Sequence, residues 1–270
     1  MRLQGRVAVV TGGARGIGEG IARCLAEDGA RVAILDLDGD VAARCAEGLG
    51  AEHVGIAADV SDEQTAAVAM EEAVRHCGRI DFLVNNAGGG NRLASTAYGP
   101  PFTAVAQEGW DEQMVLNLRT VFASSKTAIP HLKQRDQGVI VNIASIAGLV
   151  ASPTMPGYAA AKAAVISLTR TLALELAGDD IRVHAVCPGL LYTRAWQVLA
   201  SKIQKSSSKH ADKDPYDVFV ELVRRQTPLG REQTPEDVGR LTAFLCSDEA
   251  RNLTGQVMAL DGGMTLQSGG

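Results

Sequence analysis

Residues 6–18 read RVAVVTGGARGIG, a short apolar β-run that leads into a glycine-rich turn and then into a helical pattern. Glycine lets the backbone approach a phosphate group closely, and the first turn of a helix supplies unpaired N–H donors. A second β-run at residues 31–35 ends in Asp36, eighteen residues after Gly18. A βαβ dinucleotide site has an acid near this position, where it accepts hydrogen bonds from ribose hydroxyls. The stretch therefore predicts a dinucleotide-binding βαβ unit with the glycine spacing G-x-x-x-G-x-G.

Strand-like runs and helical patterns alternate along the rest of the chain. We predict strands at about 7–11, 31–35, 53–57, 80–85, 138–144, 181–187 and 256–260. We predict helices at about 16–28, 39–49, 62–77, 109–134, 157–177 and 235–247. Apolar, β-branched strands that alternate with helices are typical of a parallel sheet covered on both faces. The sequence predicts an α/β, doubly wound parallel sheet of Rossmann type, in a single domain that spans residues 1–270.

The composition favours a small-molecule partner. Of the 270 residues 46% are hydrophobic, and 26 basic against 31 acidic residues give a net charge of −5 without a basic block. This charge pattern predicts neither a nucleic acid nor an anionic membrane surface as a partner. No apolar run reaches ~18 residues, and the first residues do not resemble a cleavable signal.

The cysteines and histidines indicate neither disulfides nor a metal site. The five cysteines are odd in number, widely scattered and never in a C-x-x-C pair. We expect them to be small core residues in a reducing, cytoplasmic setting. No cluster of His, Cys and carboxylate side chains has the spacing of a metal site, so we expect no bound metal.

Tyr158 and Lys162 lie four residues apart in a helical pattern, and Ser145 precedes Tyr158 by thirteen residues, just after the apolar run 139–143. Residues at i and i+4 share a helix face, so the ammonium can lie beside the phenol and favour its ionised form. A tyrosine with a pKa of about 10 needs such help to transfer protons near neutral pH. On an ordinary amphipathic helix the same pair is usually a packed tyrosine and a solvated lysine. The glycine-rich stretch is what favours the catalytic interpretation.

Taken together, these motifs resemble the short-chain dehydrogenase/reductase family, in its simple single-domain branch. The resemblance covers nearly the whole chain and rests on the ordered set of residues 11–18, Asp59-Val60, residues 85–88, Asn117, Ser145, Tyr158/Lys162, Pro188-Gly189 and residues 260–263. It implies a catalytic tetrad of Asn117, Ser145, Tyr158 and Lys162. The cofactor contacts that we expect are Gly12, Arg15, Gly16, Ile17, Gly18, Asp36, Leu37, Asp59, Val60, Asn86, Ala87, Gly88, Tyr158, Lys162, Pro188, Gly189 and Thr193.

The resemblance implies an NAD-dependent oxidoreductase that interconverts a secondary alcohol and a ketone. Tyr158 would exchange the proton of the alcohol while the carbinol hydride moves to or from the nicotinamide, and Ser145 would hold the substrate oxygen. Lys162 would lower the pKa of Tyr158 and bind the nicotinamide ribose. Asn117 would anchor a water that connects Lys162 to solvent.

Other functions remain as alternatives. A non-catalytic regulatory protein that binds a dinucleotide could share the fold, although it would have no reason to keep the tetrad. Phosphoryl transfer is disfavoured because the glycine turn lacks the G-x-x-x-x-G-K-[ST] lysine and hydroxyl. Reduction of C=C bonds is a weaker alternative, because enoyl reductases of the superfamily space Tyr and Lys more widely.

The choice of cofactor depends on the residues after the second strand. Asp36 beside the ribose 2′ position accepts from a hydroxyl but repels a phosphate, and the next residues are Leu37 and Asp38. Arg15 acts in the opposite direction, since a cation in the glycine turn occurs in NADP-preferring members, and pairing with Asp36 would soften the preference. We expect NAD, with NADP less favoured.

Two segments, at about 88–110 and 194–226, are longer than ordinary loops, and such loops are usually functional. The resemblance implies that residues 194–226 form a substrate lid, with helices at about 195–204 and 216–226, and that the protein is a homotetramer. The substrate contacts that we expect are Ser145, Leu149, Met155, Leu190, Arg194 and Trp196. The apolar members of this set are equally what core packing would give. Arg194 and the lysines at 202, 205, 209 and 213 would suit an anionic group on the substrate, or they are merely solvated.

Overall fold

One parallel sheet of seven strands organises the fold in the computed structural model, which describes residues 1–89, 102–194, 196, 197, 200, 201, 204 and 213–267. The strands are β1 Val7–Thr11, β2 Arg31–Asp36, β3 Val54–Ala57, β4 Phe82–Asn85, β5 Gly138–Ile143, β6 Ile181–Pro188 and β7 Val257–Leu260. Their order in the sheet is β3-β2-β1-β4-β5-β6-β7, and every neighbouring pair is parallel. The predicted doubly wound α/β sheet is therefore confirmed.

Helices cover both faces of the sheet. Their bounds are α1 Gly16–Glu27, α2 Gly39–Leu49, α3 Glu63–Cys77, α4 Gln107–Met114, α5 Thr120–Leu132, α6 Pro156–Glu175, α7 Pro215–Gln226 and α8 Pro235–Cys246. One apolar layer joins α1, α2 and α8 to the sheet through residues such as Leu25, Ile34 and Val238. The opposite layer joins α3, α5 and α6 to the sheet through residues such as Met70, Leu83 and Leu132. Burial of side chains from both layers is the main stabilising contribution.

The helix predicted at 109–134 is found as one helical run that contains a π turn. It begins earlier, at Gln107, and a π turn at Val115–Arg119 separates α4 from α5. A π turn widens the helix by one residue, so that α5 and α4 present different faces to the sheet than one regular helix would. The sequence prediction of a helix is confirmed, but the π turn was not predicted, because a helical hydrophobic pattern does not show a single extra residue.

Side-chain caps explain where several helices begin. Asp38 accepts from the backbone N–H of Val41 at the start of α2, and Asp62 accepts from that of Thr65 at the start of α3. Thr234 and the third residue of α8 form a reciprocal capping box. Such caps typically contribute about 1 kcal/mol each. Helix α1 differs, because its N-cap residue, Arg15, makes no side-chain capping bond among the described residues.

Helices α1 and α8 meet at glycines. A Cβ atom on Gly20 would lie 2.5 Å from the Cβ of Pro235, and a Cβ on Gly239 would lie 2.6 Å from the carbonyl oxygen of Gly20. Only glycine permits this approach of the two backbones. The helix that follows the glycine-rich turn is thus packed directly against a helix from the last part of the chain.

Two further observations concern the described residues as a whole. No helix among them is long and apolar enough to cross a membrane. All five cysteines are free thiols, and four of them, at positions 24, 77, 187 and 246, are buried.

Candidate active site

A cleft of about 2050 Å³ runs along the carboxyl ends of the strands. The chain leaves β1 toward β2 and β3, whereas β4 to β7 extend the sheet on the other side, so the topology reverses between β1 and β4. Ligands of open α/β sheets bind in the crevice at such a switch point. Each residue for which we expect a cofactor contact lines this cleft, as do Ser145, Tyr158 and Lys162.

The glycine-rich turn forms a cradle at one end of the cleft. Gly12 and Gly16 have φ angles of +59° and +56°, which side chains other than glycine rarely adopt. Asn86 holds the turn from β4 by donating its amide N–H groups to the carbonyl oxygens of Thr11 (3.1 Å) and Gly12 (2.9 Å). A Cβ on Gly16 would meet no atom within 4 Å and would project into open space. The free backbone of this turn and the uncapped first turn of α1 fit a diphosphate group.

Two carboxylates, those of Asp36 and Asp38, line the cleft next to the glycine-rich turn. Asp36, at the end of β2, accepts the backbone N–H groups of Ala14 (3.3 Å) and Asp38 (3.2 Å). Arg15 donates from Nη2 to Oδ2 of Asp38 at 2.8 Å, and this hydrogen bond is the main cause of the lowered pKa of Asp38. The sequence left open whether Arg15 pairs with Asp36 and so weakens the preference for NAD. In the structure Arg15 pairs with the neighbouring Asp38 instead. Leu37, between the two acids, is 74% exposed.

Ser145, Tyr158 and Lys162 converge at the end of β5. Ser145 begins a short 3₁₀ turn just after the strand, and its Oγ accepts the backbone N–H of Ala147 at 3.2 Å. Tyr158 and Lys162 lie in the first two turns of α6. Lys162 is buried, donates to the carbonyl oxygen of Ile143 at 3.0 Å, and has its Nζ 5.7 Å from the centre of the Tyr158 ring. The local arrangement brings a hydroxyl, a phenol and an ammonium to one point of the cleft.

Burial controls the pKa values of the phenol and the ammonium. It raises the pKa of Tyr158, and a hydrogen bond from Ser145 offsets only part of the rise. It lowers the pKa of Lys162 to about 8. The expectation that Lys162 brings the pKa of Tyr158 below its ordinary value is thus wrong for the protein as described. The physical reason is that removal of water disfavours each charged form separately.

Cys187 lies beneath this group and was not singled out from the sequence as a site residue. Its side chain is fully buried, and burial raises the pKa of the thiol to about 11, while the nearby Ser145 backbone and Lys162 act in the opposite direction. The thiol is therefore neutral at physiological pH and packs as a small apolar residue close to Ser145.

Asn117 lies in the π turn and is fully buried behind the wall of the cleft. Its side-chain oxygen accepts the backbone N–H of Gly89 at 3.0 Å. Its side-chain nitrogen donates to the backbone oxygen of Gln113 (3.2 Å) and to the side-chain oxygen of Gln113 (3.1 Å). No sequence pattern indicated Gln113, because its contact with Asn117 depends on the π turn.

A buried chain of polar side chains connects the sheet to the two helices beside the site. Asn85 and Asn142 are register partners of β4 and β5, and Asn85 donates to the side-chain oxygen of Asn142 at 2.8 Å. Asn85 also lies 2.9 Å from Ser125 of α5, and Asn142 donates to Thr169 of α6 at 2.9 Å. Buried polar groups that are bonded in this way fix relative positions, because breaking any bond leaves a desolvated partner.

The end of β6 and the segment after it line the cleft. Gly189 donates its backbone N–H to Leu260 (2.9 Å) and to the side-chain oxygen of Gln233 (3.0 Å). A Cβ on Gly189 would lie 2.9 Å from the Cα of Asp261, so this position is closely packed. Pro188, Gly189 and Thr193 are thereby held along the cleft wall.

The expected substrate residues fall into two groups. Besides Ser145, four of them line the cleft, namely Met155, Leu190, Arg194 and Trp196. Leu149 is not among the residues that line the cleft in the described part of the chain, and it is 39% exposed. Trp196 packs against Phe219 of α7, with ring centres 5.3 Å apart. The expected lid is described only in part: α7 is present, and residues 195, 198, 199, 202, 203 and 205–212 lie outside the described residues.

Charged groups near the substrate end differ from the sequence expectation. Lys213 pairs with Glu221 at 2.5 Å, and the lysines at 202, 205 and 209 lie outside the described residues. The cleft is also lined by three acids of α4 that sequence reasoning missed, namely Glu108, Asp111 and Glu112. Residues one turn apart on a helix share a face, which places these acids together.

Comparisons with known proteins agree with this architecture. A family model described as "Enoyl-(Acyl carrier protein) reductase" matches residues 12–265. The chain is 39% identical to "2-(S)-hydroxypropyl-CoM dehydrogenase 3" of Xanthobacter autotrophicus, over 98% of both chains. It is 41% identical to "Inactive 2-(S)-hydroxypropyl-CoM dehydrogenase 2" of the same organism, over 91% of this chain and 99% of the other.

A solved structure gives the same result. The crystal structure of a candidate short-chain alcohol dehydrogenase from Sinorhizobium meliloti superimposes with a TM-score of 0.82 at 33% identity, over 98% of both chains. The fold, the glycine cradle and these similarities over nearly the whole length show that the chain belongs to the short-chain dehydrogenase/reductase family of oxidoreductases, which act with a nicotinamide dinucleotide.

Proposed function

We propose that the protein is an NAD-dependent oxidoreductase that interconverts a secondary alcohol and a ketone. The observation that carries the proposal is the convergence of Ser145, Tyr158 and Lys162 in the same cleft as the glycine cradle and Asp36. A proton-transfer group, an oxygen-binding hydroxyl and a dinucleotide site together meet the needs of carbonyl chemistry.

In this proposal each residue has a separate task. The cradle binds the diphosphate, Asp36 binds the adenosine ribose, and NAD, when bound, takes up or returns the hydride of the carbinol carbon. Tyr158 gives its proton to the carbonyl oxygen in reduction and removes the alcohol proton in oxidation. Its raised pKa keeps it protonated at neutral pH, which is the form needed for reduction. Ser145 hydrogen-bonds the substrate oxygen, and the N–H of Ala147 fixes its Oγ for this task.

Lys162 provides a route for the proton of Tyr158. Its pKa of about 8 means that it can release or bind a proton close to physiological pH. Two polar atoms lie close to Gly88. A Cβ on Gly88 would lie 3.0 Å from the side-chain oxygen of Asn117 and 3.7 Å from the Nζ of Lys162. We infer that Asn117 anchors a water in this gap that passes the proton between Lys162 and solvent.

We propose NAD rather than NADP because of the two acids after β2. Asp36 faces the ribose end of the cleft, and Asp38 holds Arg15. A 2′-phosphate would meet the negative charge of Asp36, whereas a 2′-hydroxyl would donate to it. The Arg15 guanidinium, already paired, adds little attraction for a phosphate.

Two alternatives are tested by the same assay. The matched family model is described as an enoyl reductase, but Tyr158 and Lys162 lie on consecutive turns of one helix with Ser145 beside them, an arrangement suited to an oxygen atom. A related chain whose name includes "inactive" makes a non-catalytic dinucleotide-binding protein the second candidate. The presence of all four tetrad residues favours turnover.

The decisive experiment follows the absorbance of the reduced nicotinamide with panels of secondary alcohols, ketones and enones and with both cofactors. Each panel should contain neutral members and members with a carboxylate or sulfonate, including 2-hydroxypropyl thioethers. We expect turnover of alcohols and ketones with NAD, and a preference for neutral substrates, because three acids of α4 line the same cleft as Arg194. NAD binding without turnover of any compound would favour the non-catalytic alternative. Turnover of enones alone would favour C=C reduction.

We further propose a homotetramer in a reducing, cytoplasmic compartment. The five thiols are free, which suits that compartment. Helices α5 and α6 expose the apolar side chains of Phe122 (49%) and Leu174 (83%), which a symmetric interface would cover.

A further inference from the structure

We propose that Gln113 is a positioning residue of the active site, which sets the direction of the Asn117 side-chain amide. The inference rests on the proposed function, in which the Asn117 oxygen faces the gap beside Lys162. It starts from the contacts of two buried side chains in α4 and the π turn.

The amide of Asn117 can be placed in two orientations that differ by exchange of oxygen and nitrogen. In the observed one, the oxygen accepts from Gly89 and the nitrogen donates to two oxygens of Gln113, at 3.0, 3.2 and 3.1 Å. The opposite orientation would place the amide N–H groups against the N–H of Gly89 and the oxygen against both oxygens of Gln113. The bonds to the two backbone groups would be lost in a fully buried place, where unpaired polar groups are costly.

The side chain of Gln113 adds a third bond to the two backbone bonds that favour the observed orientation. The backbone oxygen of Gln113 uses only one of the two N–H groups of the Asn117 amide, and the Gln113 side-chain oxygen uses the other. With an apolar residue at this position, the second N–H would face a buried apolar surface. The amide would then be held in the observed orientation by two bonds instead of three, and less firmly.

Gln113 is itself immobilised against the helix that carries Tyr158. Its side chain is 5% exposed, and a Cβ on Gly157 would lie 3.3 Å from its Cγ and 3.4 Å from its Cβ. Gly157 immediately precedes Tyr158 in α6. Gln113 therefore lies between Asn117 and the first turn of that helix, so that the orientation of the amide is tied to the position of the phenol.

The test compares Gln113→Leu, which removes the acceptor, with Gln113→Glu, which keeps an oxygen for the Asn117 amide. Gln107→Leu is the matched control, since Gln107 is an exposed glutamine at the start of the same helix. Melting temperatures establish that each variant folds. We expect Gln113→Leu to lower kcat by about 10- to 100-fold, as misplacement of catalytic groups does, with a smaller change in the KM for NAD and a changed pH–rate profile. Gln113→Glu should recover part of kcat, and Gln107→Leu should match the wild type.

A double-mutant cycle separates positioning from general destabilisation. If Gln113 acts through Asn117, Gln113→Leu should have little further effect on kcat in an Asn117→Ala background. The inference would be overturned if the reductions in kcat of the two single variants multiply in the double variant. It would also be overturned if Gln113→Leu leaves kcat unchanged.

Hydrogen exchange gives a readout that does not depend on turnover. The backbone N–H of Gly89 is bonded to the Asn117 oxygen, so its exchange should become faster in Gln113→Leu and stay slow in Gln113→Glu and Gln107→Leu. Unchanged exchange in Gln113→Leu would overturn the inference even in an active enzyme. If instead the wild type shows no turnover, the proposed function fails, and the exchange of Gly89 still decides whether Gln113 orients Asn117.

Discussion

The guanidinium of Arg15 donates to the carboxylate of Asp38 at 2.8 Å, two residues beyond the acid that ends β2. Asp36 meanwhile accepts backbone N–H groups from Ala14 and Asp38, which hold its carboxylate at the edge of the cleft. One acid thus engages the cation that would attract a phosphate, while the other remains to repel it. The pair supports the proposed preference for NAD, because the arginine of the glycine turn already has an acidic partner.

The first prediction concerns the cofactor. The wild type should prefer NAD to NADP by at least about tenfold in kcat/KM, a modest effect for one carboxylate that faces either a hydroxyl or a phosphate. Asp36→Ala combined with Leu37→Arg should erase or invert this ratio, because a guanidinium pairs with the 2′-phosphate. Steady-state kinetics and binding titrations with both cofactors measure it.

Asp38→Asn is the accompanying control. Asparagine also caps helices well, so α2 should remain intact while Arg15 loses its charged partner. We expect the NAD preference to decrease, but less than in the double variant. Equal use of both cofactors by the wild type would mean that Asp36 does not face the 2′ position.

The second prediction concerns the proton donor. Tyr158→Phe should lower kcat by about 10²- to 10⁴-fold, because it removes the transferable proton and leaves the ring. NAD binding, measured by titration, should be nearly unchanged. Tyr216→Phe is the control, since that hydroxyl bonds to Glu232 at an exposed place. More than about a tenth of the wild-type kcat in Tyr158→Phe would contradict the assignment.

The third prediction concerns stability in acid. His184 is fully buried, and burial together with Arg182 lowers its pKa from 6.5 to about 4. Arg182 can only donate, and its Nη1 lies 3.3 Å from Nε2, so this nitrogen is unprotonated in the folded protein. Between pH 6.5 and 4 the unfolded chain binds a proton that the folded chain does not. The free energy of unfolding should therefore decrease as the pH is lowered from 6.5 to 4. This histidine should account for roughly 3 kcal/mol of the decrease.

Chemical unfolding at a series of pH values tests this expectation. His184→Gln keeps an acceptor for Arg182 but does not titrate, so the loss of stability from pH 7 to pH 4.5 should become smaller. Part of the loss should persist, because burial also lowers the pKa of His53. His76→Gln replaces an exposed histidine and should retain the full wild-type slope. An unchanged slope in His184→Gln would show that this residue is not the source.

The fourth prediction concerns assembly. Light scattering should give the mass of a tetramer, and Phe122→Glu together with Leu174→Glu should shift the protein to smaller species, because charges would replace exposed apolar side chains of α5 and α6. A stable wild-type monomer at micromolar concentration would refute it, and the catalytic proposal would be unaffected.

Regular elements of this fold could be predicted because their signals are local. Strand β1 is found at the predicted bounds, and the other strands and most helices differ from prediction by one to three residues at an end. The glycine turn and the Tyr158–Lys162 spacing also express their roles within a few neighbouring residues. Such patterns follow from backbone geometry and hydrophobic period alone.

What could not be predicted depends on contacts between distant segments. Whether Arg15 pairs with Asp36 or with Asp38 is decided by side-chain geometry at the end of β2. The direction in which the pKa of Tyr158 shifts is decided by burial, which no spacing reveals. The contact between Gln113 and Asn117 could not be predicted, because it depends on the π turn that contains Asn117.

The contact of Gly20 with Pro235 and Gly239 has a consequence for the growing chain. The first turn of helix α1 forms part of the glycine cradle. The backbone of α1 packs against α8, which lies more than 200 residues later in the sequence. A ribosome that has made only the first half of the protein has therefore released a cradle helix with one side uncovered. We expect that nascent chains ending before α8 do not retain the dinucleotide, so that the earliest motif in the sequence is among the last to become functional during synthesis.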